Sequence, residues 1–185
     1  ISYAIDKNIL LINAESKSEI QEIDRLAKLK RKKVYIGIRL NPNTDAKTLS
    51  QISTGKKENK FGVSEKNFSE LIEYCNKSKN IILKCLSVHI GSQILDHKPY
   101  QKMLRIISKI LNKINHKFEY IDLGGGMGIS YEKSNKKLNY NKYNIAIKKF
   151  LKNHKSKIIF EPGRSIIGNT GTLISKVIYI KKSEK

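Results

Sequence analysis

Four short segments carry residues whose types and spacing could do chemistry. The first is Arg39-Leu40-Asn41-Pro42, the second His89-Ile90-Gly91-Ser92, the third Gly124-Gly125-Gly126-Met127-Gly128 and the fourth Glu161-Pro162-Gly163-Arg164. Without side chains, a glycine run lets backbone N–H groups approach an anion closely, so the third segment can cradle a phosphate. A flexible turn explains it equally well. It is not the dinucleotide fingerprint, because the glycine spacing differs and no acidic residue closes a following strand. Pro-Gly alone makes a tight turn, but here a Glu stands three residues before an Arg, one of five arginines in the chain. A carboxylate there can hold a proton on a ring nitrogen, and a guanidinium can grip phosphate or carboxylate through two parallel hydrogen bonds. His89 reads either as a satisfied polar group or as a flat ring that stacks on a planar ligand, with the Ser92 hydroxyl reaching a phosphate. Together the segments ask for one planar ligand with a basic ring nitrogen and a phosphate. Pyridoxal 5′-phosphate has those features, and the protein's task would be to hold and tune it as an electron sink.

The elements that must position these residues alternate along the chain. Near-continuous apolar stretches at 9–14, 34–40, 82–88, 120–123 and 158–160 have strand length and the pattern of strands buried on both faces. Between them the period is helical. Ser16 opens a capping box with Glu19, ahead of Ile20, Ile23 and Ala27. Ser64 is placed to cap a helix carrying Phe68, Leu71, Ile72 and Cys75. Tyr100, Met103, Leu104, Ile107, Ile110, Leu111 and Ile114 form one stripe, and Tyr143, Ile147, Phe150 and Leu151 a weaker one. Strand–helix alternation predicts parallel strands joined by crossover helices. Because the polar segments all follow strands, they share one rim, as in a (β/α)8 barrel. Five strands predict a partial barrel of about five βα units over residues 1–165. After Arg164 the pattern changes to Gly168-Asn169-Thr170-Gly171 and a β-rich run at 172–180, so residues 166–185 read as exit into a C-terminal β-type domain. The missing initiator Met also makes the sequence read as an internal piece of a longer protein.

Composition narrows the class. The 185 residues carry 37 Lys and Arg against 16 Asp and Glu, a formal charge of +21. The excess is nearly all Lys, spread along the chain rather than clustered or Arg-rich, so it predicts a solvated surface and no nucleic-acid site. No apolar run approaches the roughly 20 residues that span a bilayer, and no membrane partner is expected. Cys75 and Cys85 fit neither a metal spacing nor a disulfide framework and read as small core residues in a reducing, cytoplasmic setting. No metal site is expected.

The segments also carry a resemblance. Residues 52–63 (ISTGKKENKFGV), 87–93 (SVHIGSQ), 122–131 and 161–164 are similar, in order and over essentially the whole chain, to the diaminopimelate decarboxylases. These are alanine-racemase-like, fold type III pyridoxal-phosphate enzymes. The resemblance implies decarboxylation of meso-diaminopimelate to L-lysine and carbon dioxide. It implies that His89 stacks on the cofactor ring, that Ser92 and Gly124–Gly126 hold the phosphate with Gly163, and that Glu161 contacts the pyridine nitrogen. It further implies that Arg164 serves the phosphate or a substrate carboxylate and that Arg39 lies near the ring. His89 and Glu161 are the expected catalytic residues. The family's Schiff-base lysine has no counterpart here, with Lys60 and Lys84 in the wrong context, and the family's C-terminal β-domain and second subunit complete each site. A related decarboxylase of ornithine, arginine or carboxynorspermidine is the alternative within the fold. A basic, non-catalytic anion-binding module is the alternative outside it.

Overall fold

A computed structural model of the chain describes residues 1–44, 54–55, 60–131 and 137–182. Most of the 52–63 motif therefore lies outside the described residues. The elements run α1 (Ser2–Asp6), β1 (Ile12–Ala14), α2 (Lys17–Leu29), β2 (Val34–Arg39), α3 (Glu65–Lys77), β3 (Ile81–Ser87), α4 (Lys98–Leu111), β4 (Tyr120–Asp122), α5 (Tyr140–Asn153), β5 (Lys157–Ile159) and α6 (Arg164–Ile167).

Local sequence accounts for the helices. The Ser16 hydroxyl accepts from the Glu19 N–H at 3.2 Å, and the Glu19 carboxylate reaches back to the Glu15 N–H at 2.7 Å. This closes the N-terminus of α2 and turns Ile20, Ile23 and Ala27 into the core. Ser64 occupies the cap position of α3, but its side chain makes no cap bond; its carbonyl alone accepts from Asn67 and Phe68. α4 buries Tyr100, Met103, Leu104, Ile107 and Ile110 and ends at Leu111, so Ile114 falls beyond it. In α5 the Asn139 carboxamide accepts from the Lys142 N–H at 2.9 Å, and Tyr143, Ile147 and Phe150 are buried.

The five strands are parallel and lie in sequence order, β1-β2-β3-β4-β5. A doubly wound sheet would reverse its order partway. Here each crossover steps the same way, which is the winding of a barrel wall. One face of the sheet packs on the helices through Ile36, Ile38, Leu83 and Leu86. The expectation that the strands are buried on both faces is corrected on the other side: Tyr35 and Ile82 are exposed. On that concave face the N-terminal halves of β2 and β3 are open, whereas Cys85, Ser87 and Asp122 towards the C-terminal ends are buried. β1 is also shorter than its apolar run, with Ile9 and Leu10 exposed ahead of it.

Cys75 and Cys85 are free and buried, and burial pushes both thiols up to about 12. No described helix is long and apolar enough to cross a membrane. Residues 172–180 pair with no described strand, and Leu173, Ile174, Val177, Tyr179 and Ile180 are exposed.

Candidate cofactor site

Parallel pairing brings every strand's C-terminal end to one rim, and all four polar segments follow strands there. Behind them, on the concave face, lies a carboxylate the sequence reading did not single out. Asp122, at the end of β4, is 1% exposed. Its Oδ2 accepts from Asn13 Nδ2 at 2.8 Å and from the Ser87 hydroxyl at 3.3 Å, and its Oδ1 accepts from the Gly124 N–H at 2.9 Å. Asn13 reaches it from β1 by passing over β2 at Gly37, where a Cβ would stand 2.0 Å from the Asn13 Oδ1. One buried acid thus ties β1, β3 and the turn after β4. The signal for it was a charged residue between Ile121 and Leu123, directly ahead of a glycine run.

The triple glycine is set by its neighbours on both sides. A Cβ at Gly124, whose φ is +64°, would lie 2.6 Å from His89 Nδ1. At Gly125 it would lie 2.1 Å from the Glu161 carbonyl oxygen, and at Gly126 (φ +87°) 2.2 Å from the Gly91 carbonyl oxygen. The Gly125 N–H donates to His89 Nδ1 at 3.2 Å, and the Glu161 N–H donates to the Gly124 carbonyl at 2.9 Å. From below, the buried Tyr100 hydroxyl of α4 donates to the Gly125 carbonyl at 3.0 Å. His89, Gly124–Gly126 and Glu161 therefore share one place on the rim. Gly163 follows in the Glu161 loop, and a Cβ there would meet nothing within 4 Å, so this backbone faces open space.

The electrostatics follow from that crowding. Because Nδ1 accepts a hydrogen bond, the proton of the neutral His89 imidazole resides on Nε2. Burial first, then the Arg39 guanidinium, hold His89 below the ordinary histidine range. Loss of hydration and the neighbouring Asp122 carboxylate raise Glu161, with Arg39 opposing. Arg39 is less free than the sequence suggested. Its guanidinium pairs with Glu15, whose other oxygen accepts from the Gly62 N–H at 3.3 Å, and it lies 5.2 Å from the centre of the Phe61 ring. Arg164 instead donates to Gln93 Oε1 at 3.1 Å. Ser92 stands next to Gln93 in the same loop. Glu15 and Gln93 were given no role from sequence, because their partners are far along the chain.

The residues present fit a phosphorylated pyridine. Flat imidazole, carboxylate of raised proton affinity, open glycine backbone and guanidinium stand on adjacent strand ends. Two tests bear on this geometry. Replacing Asp122 by Ala strands three donors, so denaturant unfolding should show a loss of about 3 kcal/mol; a loss below about 1 kcal/mol would mean the hub is dispensable. His89 sets a pH dependence. Its folded-state pKa is depressed, so the unfolded chain takes the proton first. The His89 contribution is complete above about pH 6.5 and is lost as pH falls below that value. The difference in unfolding free energy between wild type and His89→Gln, followed from pH 7.5 to 5, should shrink towards the acid side. A difference independent of pH would contradict a neutral, Nε2-protonated ring.

Comparison with known proteins agrees with the fold. Residues 1–168 match the family model described as pyridoxal-dependent decarboxylase, pyridoxal binding domain. The chain is 42% identical to a diaminopimelate decarboxylase of Helicobacter pylori, covering 100% of this chain and 46% of that protein. It is 39% identical to the diaminopimelate decarboxylase of Aquifex aeolicus, covering 96% of this chain and 43% of that protein. It thus spans a little under half the length of these relatives. The crystal structure of Helicobacter pylori diaminopimelate decarboxylase complexed with L-lysine superposes with a TM-score of 0.85 at 39% identity, over 89% of this chain and 42% of that one. The arginine decarboxylase of a Paramecium bursaria Chlorella virus shares the fold, with a TM-score of 0.65 at 24% identity. The five strands are accordingly a partial (β/α)8 barrel, and over residues 1–168 the chain belongs to the pyridoxal-dependent decarboxylases as their pyridoxal-binding domain.

Proposed function

We propose that this chain holds pyridoxal 5′-phosphate for the decarboxylation of meso-diaminopimelate to L-lysine and carbon dioxide. The observation that carries the reading is the meeting of His89, Gly124–Gly126 and Glu161 on one rim, in a chain about 40% identical to two diaminopimelate decarboxylases. When bound, the cofactor supplies a protonated ring that accepts the electron pair left by departing carbon dioxide. His89 offers a neutral, flat face whose orientation is fixed by the Gly125 N–H. Glu161 holds the proton at the ring nitrogen, and Asp122 behind it raises the proton affinity of that carboxylate. Gly163 and Arg164 receive the phosphate, or in the case of Arg164 a substrate carboxylate. Arg39, with its charge largely met by Glu15, trims the negative potential around Glu161.

The imine-forming lysine is not assigned to this chain. On the concave face, Lys84 sits 2.8 Å from Glu119 and 3.8 Å from the centre of the Tyr35 ring. The Glu119 carboxylate raises its pKa, so the amine stays protonated and is a poor nucleophile near neutral pH. The exposed apolar run at 172–180 would pair within the C-terminal β-type domain that the resemblance implies. A second subunit would complete the assembly.

Two experiments test the reading. In the complete enzyme, Glu161→Gln should lower turnover by at least about 100-fold while cofactor affinity changes little; wild-type turnover would remove the electron-sink argument. Borohydride reduction of this chain mixed with pyridoxal phosphate should leave its mass unchanged. A stoichiometric adduct on one lysine would show that the nucleophile lies within it.

A further inference from the structure

The rim presents two arginines, and the structure treats them differently. Arg39 is paired with a carboxylate, Glu15. Arg164 has no carboxylate partner among the described residues: its guanidinium meets the Gln93 carboxamide oxygen at 3.1 Å and lies 5.7 Å from the centre of the Tyr131 ring. Both are neutral groups, so they fix the guanidinium while leaving its charge to be used elsewhere.

Gln93 is itself fixed. Its Nε2 donates to the Ile129 carbonyl, and its Oε1 accepts from the Ile129 N–H at 3.3 Å. This two-point clasp on one peptide unit settles the carboxamide's orientation. Turned over, it would set N–H against N–H and oxygen against oxygen, so the oxygen has to face Arg164. The backbone is bent to allow it: Gln93 has φ +62°, a conformation disfavoured for a residue with a side chain. On either side, Ile94 pairs with the loop after β4 through Gly126 and Gly128 at 2.9 and 3.1 Å. Gln93 therefore joins three rim loops, those after β3, β4 and β5.

We propose that Gln93 is a positioning residue that holds Arg164, with its charge unspent, for an oxyanion bound in the site. The inference rests on the reading above that this rim takes pyridoxal phosphate and an amino acid. The oxyanion is then the cofactor's phosphate or the substrate's carboxylate, and the same geometry serves either.

The test uses the whole chain as wild type, Gln93→Gly, Gln93→Glu, Arg164→Ala and the Gly/Ala double variant. Each is titrated calorimetrically with pyridoxal phosphate, with pyridoxal, and with meso-diaminopimelate in the presence of pyridoxal phosphate. Glycine accepts φ +62° readily, so Gln93→Gly should melt close to wild type and a loss of binding is not a loss of fold. Pyridoxal phosphate should bind Gln93→Gly about tenfold more weakly while pyridoxal is unaffected. Because Gln93 acts through Arg164, the double variant should be no weaker than Arg164→Ala alone. Gln93→Glu keeps the contact but cancels the charge, and should weaken the same probe. If the loss falls on diaminopimelate instead, with pyridoxal phosphate unchanged, the positioning role stands and the oxyanion is the substrate carboxylate. Wild-type affinity for all three probes in Gln93→Gly or Gln93→Glu, with Arg164→Ala impaired, would overturn the inference. So would additive losses in the double variant, or an equal loss for pyridoxal and its phosphate. Failure of the wild-type chain to bind any probe would overturn the underlying reading instead.

Discussion

Burying a carboxylate on the concave face of an open sheet is unfavourable unless hydrogen-bond donors replace the lost water. Asp122 meets that condition with three donors from three separate parts of the chain: the Asn13 carboxamide, the Ser87 hydroxyl and the Gly124 N–H. Much of the rim follows from satisfying it. Asn13 reaches Asp122 only because Gly37 leaves room above β2. Gly124 turns back toward Asp122 with a positive φ and so brings Gly125 under His89. Glu161, on the next strand end, then stands beside a negative charge it cannot escape, which strengthens its hold on a proton. A buried structural acid thus raises the proton affinity of its neighbour.

The glycines show how one sequence feature can carry two physical meanings. From sequence, the run after β4 reads as a phosphate cradle or a flexible turn. In the structure each of its three members is required by protein atoms: the His89 ring, the Glu161 carbonyl and the Gly91 carbonyl. The run is a wedge that lets three rim loops close to within van der Waals contact. Any N–H groups offered to a phosphate are offered from that packed arrangement rather than from a mobile loop. Gly163 differs, since the space beside it is open.

The strands and helices were legible because their signals are local. The capping residues at Ser16 and the stripe from Tyr100 to Ile110 lie within a few residues of what they determine. The rim was legible because parallel winding sends every strand end to the same side, so polar residues after strands must meet. What the sequence hid is the set of side chains whose meaning depends on a distant partner. Asn13 and Asp122 are 109 positions apart, and Gln93 and Arg164 are 71. No periodicity encodes such pairs. Ile82 and Tyr35 misled for a related reason: an apolar run reports that a strand can be covered on both faces, not what covers it.

The same face carries a second charge pattern, at the opposite end of the strands. Lys84 and Lys157 both approach Glu119, at 2.8 and 3.3 Å, beside the Tyr35 and Tyr120 rings. Glu119 is held down to about 2 by these partners, Lys84 first. Both ends of the strands thus carry mixed charge, with Lys84 and Lys157 met by Glu119 at one end and Arg39 met by Glu15 at the other. Strand alternation puts Lys84 on the same face as Ile82, and the register shift after Leu83 sets Cys85 opposite Gly37. An amine committed to Glu119 cannot also serve as a neutral nucleophile at the rim. The lower ion cluster is therefore satisfied within itself and stands apart from the strand ends that carry His89, Glu161 and Arg164.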